Sequence, residues 1–209
     1  MHTKTLLSTI AASFILSACG GSGNAPAVEQ PAPFLFSATD GNNGYELWKT
    51  GGTAETTRLV KDINASGDSD IEGIIRIGQL GFFTADDGIN GDQLWVSDGT
   101  DAGTMALAPE PRDLIAFNGQ LFFSAGGFSD THNEELWKSD GTVAGTVQVK
   151  EINPSSDSQP ENFAVLGDTL YFSADDGTNG EELWKTDGTA AGTVMAADIN
   201  STGSSFPSN

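Results

Sequence analysis

The apolar residues of this chain fall into short runs separated by turn-forming residues. In the best-formed stretch, from Glu161 to Asn200, four such runs follow one another, and each is typical of a β-strand. Two of them are joined by Gly167-Asp168, a two-residue hairpin signal. Four strands in about 45 residues is the unit of a propeller blade. The pattern therefore predicts an all-β protein.

Neighbouring apolar residues in these runs require burial on both faces of each sheet. Leu183 and Trp184 are adjacent, and adjacent residues of a strand point to opposite faces. A sheet with one solvated face would alternate apolar with polar residues instead. Blades stacked face to face cover both sides, so the pattern favours a propeller-like array.

One phrase, Glu-Leu-Trp or a close variant, occurs four times along the chain. Its tryptophans follow one another at steps of 47, 42 and 47 residues, which indicates a fold built from one repeated unit. A residue pair present in every copy is most simply explained by packing. We interpret these pairs as the structural core of the repeat: Leu47, Trp48, Leu94, Trp95, Leu136, Trp137, Leu183 and Trp184.

Copy one begins at the second strand of the unit, with Phe34, because Pro31 and Pro33 before it do not suit a central strand. We therefore predict fifteen strands, in a propeller-like array of about four four-stranded antiparallel blades, over residues 34–200. The first blade is incomplete. Residues 201–209 are predicted to be a C-terminal loop. Either these residues supply the missing strand, or the array is open or truncated.

The N-terminus has the pattern of an export signal. Lys4 precedes an apolar stretch from Leu6 to Leu16 that is too short to span a bilayer. Leu16-Ser17-Ala18-Cys19 resembles the bacterial lipobox, and Cys19 is the only cysteine in the sequence. We predict a lipoprotein signal peptide over residues 1–18, an acylated Cys19 and a flexible tether over residues 19–33. The alternative is a plain secretory signal with an incidental cysteine.

This prediction places the protein in the bacterial cell envelope, lipid-anchored at the outer membrane or cell surface, with the membrane as one partner. The formal net charge is −20, with 29 acidic and nine basic residues. Nucleic acid is excluded as a partner, because its binding depends on Lys and Arg that neutralise phosphates. The acidic residues serve either solubility or cation binding.

Three turns rich in Asp, Asn and Gly raise the possibility of Ca²⁺ as a cofactor, because their oxygens are ligands that this ion prefers. Tight turns select the same residues for backbone reasons, so turn chemistry is the alternative, with no cofactor. The possible metal ligands are Asp40, Asn42, Asp86, Asp87, Asn90, Asp175, Asp176 and Asn179.

A second recurring turn, Asp-Gly-Thr, follows the tryptophans in copies two to four. Its carboxylates, Asp98, Asp140 and Asp187, are interpreted as turn residues that accept backbone N–H groups. The phrases at 135–142 and 182–189 resemble the ELWxxDGT repeat proteins of bacteria. That resemblance implies exported, propeller-like proteins without a known enzymatic activity or defined ligand.

The leading functional hypothesis is a surface-anchored, non-catalytic module for binding, adhesion or scaffolding, with an extracellular protein or glycan as partner. Two alternatives stay open: a calcium-binding repeat module and an extracellular glycan-active hydrolase. No catalytic residues are predicted, because adjacent carboxylates such as Glu134 and Glu135 point to opposite faces of a strand. The turn from Gly126 to Asn133, with His132, is the most unusual loop of the repeat.

Overall fold

The computed structural model describes residues 31–126 and 134–208. This part of the chain contains fifteen strands and one short 3₁₀ helix, Ala54–Thr56. The strands are β1 (Phe34–Thr39), β2 (Tyr45–Thr50), β3 (Arg58–Lys61), β4 (Glu72–Ile77), β5 (Leu80–Asp86), β6 (Asp92–Ser97), β7 (Met105–Pro109), β8 (Pro111–Phe117), β9 (Gln120–Gly126), β10 (Glu134–Ser139), β11 (Val147–Lys150), β12 (Glu161–Leu166), β13 (Thr169–Asp175), β14 (Glu181–Thr186) and β15 (Val194–Ala197).

The described strands form four antiparallel sheets, each a meander of consecutive strands. Blade one is β1-β2-β3, and blades two, three and four are β4 to β7, β8 to β11 and β12 to β15. The predicted fold class is therefore confirmed, including the incomplete first blade. β1 occupies the second position of its blade, since Phe36 pairs with Trp48 as Phe83 pairs with Trp95. In the described residues none of the helices is long and apolar enough to cross a membrane.

The first strand of each complete blade carries a bulge close to its start. The register shifts after Glu72, Arg112 and Glu161, and the next residue in each strand, Gly73, Asp113 or Asn162, has a positive φ of 62°, 50° or 58°. The strand β8 consequently begins at Pro111, three residues before the first apolar residue that marks it in the sequence. Bulges of this kind bend a strand and redirect its side chains.

The core lies between blades and not within them. Among the described residues there are three apolar clusters, one at each junction of successive blades. Each junction joins the motif leucine of one blade to the motif tryptophan of the next blade. The three pairs are Leu47 with Trp95, Leu94 with Trp137, and Leu136 with Trp184.

The two ends of the array differ from its middle. Leu47, Leu94 and Leu136 are fully buried, whereas Leu183 in the last blade is only half-buried. Trp95 and Trp184 are buried and Trp48 in the first blade is half-buried, as is Trp137. Among the described residues no blade precedes blade one or follows blade four, so Trp48 and Leu183 are less covered than Trp95 and Leu136.

Candidate functional site

The glutamate of the repeated motif is a buried structural residue. Glu46, Glu135 and Glu182 are fully buried, although each is a charged residue at the second position of its strand. In blade three, Glu135 Oε2 accepts hydrogen bonds from Ile152 N (2.9 Å) and Ser158 Oγ (2.8 Å), and Oε1 accepts one from Asn153 N (2.9 Å). The carboxylate therefore fixes the segment that connects blade three to blade four.

The other two glutamates bind their own connecting segments in the same way. Glu46 accepts hydrogen bonds from Ile63 N (2.6 Å) and from Ser69 Oγ. Glu182 accepts them from Ile199 N (2.8 Å) and Ser205 Oγ (2.7 Å). Each copy with this glutamate thus has the same pair of donors, 17 and 23 residues further along the chain.

Copy two does not have a glutamate at this position of the motif. It has Gln93 in place of the glutamate, and its connection from Met105 to Asp113 is seven residues shorter than the one from Val147 to Asn162. Gln93 instead pairs with Pro109 in the β6–β7 ladder. The carboxylate is absent in the copy that lacks the long connection it would bind.

Burial sets the acidity of these carboxyls. It raises the pKa of Glu46 and Glu135 above the usual range, and the hydrogen bonds from their connecting segments offset this only in part. For Glu182, burial also raises the pKa, but hydrogen bonds from Ser205 and Ile199 outweigh it and hold the pKa below its usual value. A carboxyl enclosed in this way has no access to a sugar bond, and glycoside hydrolysis requires two that flank it.

The Asp-Gly-Thr turn is closed by its own side chains. Asp98 Oδ1 accepts hydrogen bonds from Thr100 N (2.8 Å) and Thr100 Oγ1 (2.7 Å), and that hydroxyl accepts one from Gly103 N (3.0 Å). Asp140 and Asp187 make the same contacts in blades three and four. These carboxylates are engaged with the turn itself.

The Asp-Asn turns that suggest calcium are closed in a similar way. Asp87 Oδ1 accepts hydrogen bonds from Ile89 N (2.9 Å) and Asn90 N (2.8 Å), while Oδ2 accepts one from Asn90 Nδ2 (2.7 Å). Asp40 and Asp176 repeat this arrangement, and Asp86 and Asp175 each accept one backbone N–H. Asn42 is exposed, and its N–H is one of the donors to Asp40.

Within the part of the chain that the structure describes, no three His, Cys, Asp or Glu residues converge on a point that could hold a metal ion. Ca²⁺ binding at the Asp-Asn turns stays a prediction of the sequence.

Four charged residues without this structural role line a cleft between β4 and β8, the first strands of blades two and three. The cleft has a volume of about 520 Å³. Glu72, Asp92, Arg112 and Asp113 bring charge to it, beside an apolar wall that includes Leu114. The bulges described above place Asp113 there with a left-handed backbone, a conformation that costs energy for a residue other than glycine.

A further carboxyl extends the acidic character of this region toward blade four. Burial raises the pKa of Glu161, and the charges of Asp113, Glu181 and Glu134 raise it further, against the effect of Arg112. The first strands of blades two, three and four thus begin in a region of mutually repelling carboxylates around one guanidinium. Such a region favours a ligand that carries positive charge.

Sequence reasoning missed both the buried glutamates and the cleft. The cleft had one signal: Gly73, Asp113 and Asn162 stand at the same position of three copies, and all are residue types that tolerate a left-handed conformation. Cys19, the signal peptide and most of the tether lie outside the described residues, as does His132.

No protein-family model matches the chain, and no curated protein does. Solved structures similar to it include a puromycin hydrolase, with 18% identity over 74% of this chain and 26% of that chain and a TM-score of 0.47. A prolyl endopeptidase gives 14% identity over 78% and 26%, with a TM-score of 0.48. The computationally designed Ika8 protein gives 15% over 81% and 47%, with a TM-score of 0.43. The chain spans about a quarter of the length of the puromycin hydrolase and of the prolyl endopeptidase.

Proposed function

We propose that this protein is a lipid-anchored, non-catalytic binding module of the bacterial cell envelope, whose ligand docks in the cleft between β4 and β8. The ligand is an extracellular protein or glycan with a positively charged group. The observation that carries the proposal is that the carboxylates fall into two groups: those repeated in the motif are bonded within the chain, and those at the cleft are not part of the motif. Those repeated in the motif, such as Glu135 and Asp140, bind the chain's own backbone.

The cleft is where the blades differ from one another. Blade two has Glu72-Gly73 at the start of its first strand, whereas blade three has Arg112-Asp113 at the same position. Packing explains residues that every blade shares, but it does not explain a charged pair that one blade alone has. Specific binding usually resides in such variable positions on a rigid scaffold.

The Glu72→Gln, Asp113→Asn double variant lowers the negative charge of the cleft and keeps the fold, because each change replaces an exposed carboxylate by a neutral amide of similar size. Asparagine accepts the left-handed backbone that Asp113 adopts, as Asn162 does with a φ of 58° at the same bulge of blade four. The matched control is Asp168→Asn in the β12–β13 hairpin, which removes one negative charge away from the cleft.

The test is a screen of the purified full chain on peptide and glycan arrays, followed by titration of the strongest array ligand. We expect wild type and Asp168→Asn to bind equally and the double variant to lose binding with an unchanged melting temperature. Equal binding by all three proteins would show that the ligand does not bind in the cleft. Release of a cleaved product from the array ligand would show that the protein is an enzyme.

A further inference from the structure

The two ends of the blade array present the two halves of one interface. At each internal junction, one blade contributes the leucine side, which contains the motif leucine, and the next blade contributes the tryptophan side. Blade four has a leucine side with no blade on it, and blade one has a tryptophan side with no blade on it, within the residues that the structure describes.

The leucine side of blade four exposes residues that are covered elsewhere. Ile199 is 62% exposed, whereas Ile152 at the same position of blade three is 5% exposed. Leu166 is 73% exposed, whereas its equivalent Phe117 is 4% exposed. These apolar side chains fit a surface that another blade covers.

The tryptophan side of blade one is exposed in the same manner. Phe34 is 65% exposed, and the residue at its position in blade three, Leu121, is fully buried. Phe36 is half-buried and stacks on Phe34, with ring centroids 6.0 Å apart, beside the half-buried Trp48.

A polar contact found at two of the three internal junctions also has both of its halves at the ends. The lysine after the motif tryptophan donates a hydrogen bond to the glycine carbonyl of the next blade's turn, as Lys138 Nζ does to Gly188 O at 2.8 Å. Lys49 does the same to Gly99. Blade four keeps this lysine as the exposed Lys185. In blade one the turn glycine, Gly52, has a φ of 95° against 93° for Gly188 and is surrounded by open space.

We propose that a second copy of this chain covers these surfaces, with blade four of one copy stacked head to tail on blade one of the next. The leucine side and the lysine of blade four match the tryptophan side and the turn of blade one, so this contact continues the series of the three internal junctions. The contact is heterologous, so an open assembly keeps one free leucine side and one free tryptophan side until a ring closes. This association does not depend on the ligand site in the cleft.

The experiment is sedimentation velocity of the full chain in a mild detergent over a range of concentrations. Leu166→Asp disables the leucine side and Phe34→Asp disables the tryptophan side, and both side chains are exposed, so neither change disrupts the folded core. Ile89→Asp, at an exposed turn position away from both surfaces, is the matched control. Because each copy carries a formal charge of −20, the runs are made at low salt and at about 0.15 M, where repulsion is screened.

We expect wild type and Ile89→Asp to form species heavier than a monomer as concentration rises, and more readily at the higher salt. Each of the other variants alone should stay monomeric. An equal mixture of Leu166→Asp and Phe34→Asp should form dimers and nothing larger, since one intact leucine side meets one intact tryptophan side. A monomeric wild type, a dimer of either variant alone, or a mixture that stays monomeric would overturn the proposal.

Discussion

Asp98 and Gly103 depend on each other across the Asp-Gly-Thr turn, because a Cβ atom on Gly103 would lie 2.2 Å from Asp98 Oδ1. Copy one forms the same turn with the small and the large residue exchanged. It has Gly51 at the aspartate position and Thr56 at the glycine position, and Thr56 Oγ1 accepts the hydrogen bond from Thr53 N at 3.1 Å. The turn needs one polar oxygen in this space, and either side of the turn can supply it.

This relationship predicts strong coupling between the two positions. Gly103→Thr alone should destabilise the protein because the new side chain meets the Asp98 carboxylate. Asp98→Gly alone should cost about 1.5–3 kcal/mol, the range for hydrogen bonds to a charged group. The double variant has the arrangement of copy one, so its loss should be smaller than the sum of the single losses.

Urea unfolding of wild type, both single variants and the double variant gives the coupling directly. Additive losses would show that the two side chains do not share the space that the turn geometry assigns to them.

The stability lost when a motif tryptophan is replaced by alanine should depend on the position of its blade in the array. Trp95→Ala and Trp184→Ala should each cost roughly 3–5 kcal/mol, because both side chains are buried against the preceding blade. Trp48→Ala should cost less, since no blade precedes it in the described residues and it is half-buried. Thermal and urea unfolding of the variants measure this order. Equal losses at Trp48 and Trp95 would contradict it.

The contributions of Glu135 and Asp140 to stability should change with pH in opposite directions. Burial raises the pKa of Glu135 above 4.5 in the folded state. Relative to glutamine, Glu135 therefore adds to the free energy of unfolding below pH 4.5, and this addition is lost as pH rises through the folded-state pKa. Hydrogen bonds from Thr142 lower the pKa of Asp140 below 3.8. Its contribution relative to asparagine is therefore present above that pH and is lost as pH falls through the folded-state pKa.

The measurement is urea unfolding of wild type, Glu135→Gln and Asp140→Asn between about pH 3 and 8. The deficit of Glu135→Gln should be largest at acid pH, and that of Asp140→Asn should be largest near neutral pH. Two deficits that change with pH in the same direction would refute the assignment.

Acylation at Cys19 predicts that the protein enters the detergent phase in a phase-partitioning experiment, because stable anchoring needs at least two lipid chains. Cys19→Ser should move the protein to the aqueous phase, and Ser22→Ala in the tether should leave it unchanged. Equal partitioning of wild type and Cys19→Ser would show that the anchor lies elsewhere.

Calcium binding can be tested by its effect on thermal stability. An ion that binds only the folded state adds about 2.7 kcal/mol of stability at a hundred times its Kd. The oxygens of Asp40, Asp87 and Asp176 already accept N–H groups of their own turns, so we expect superimposed melting curves in Ca²⁺ and in chelator. A melting temperature raised by Ca²⁺ would confirm the calcium-binding alternative.

The blade fold could be predicted because it depends on local signals. Runs such as Leu170–Phe172 and the spacing of the tryptophans follow directly from strand geometry and repetition. The role of Glu135 could not be read in the same way, because its partners lie 17 to 23 residues further on, in a connection without secondary structure. One indirect signal exists: copy two lacks the long connection and has Gln93.

The cleft was harder to predict for a different reason. Arg112 and Asp113 come together with Glu72 only when two first strands, separated by more than thirty residues, lie side by side. Nothing in the periodicity reports how the bulges turn those side chains.

If the motif carboxylates stabilise the fold and the cleft binds the ligand, one paired titration separates the two roles. The array ligand is titrated into wild type, Asp140→Asn and the Glu72→Gln, Asp113→Asn double variant, and the melting temperature of each protein is recorded. Asp140→Asn should melt lower than wild type and bind equally well below its melting point. The double variant should melt like wild type and bind at least about tenfold more weakly, a change of ~1.4 kcal/mol. Loss of binding in a folded Asp140→Asn, with full binding by the double variant, would contradict the account.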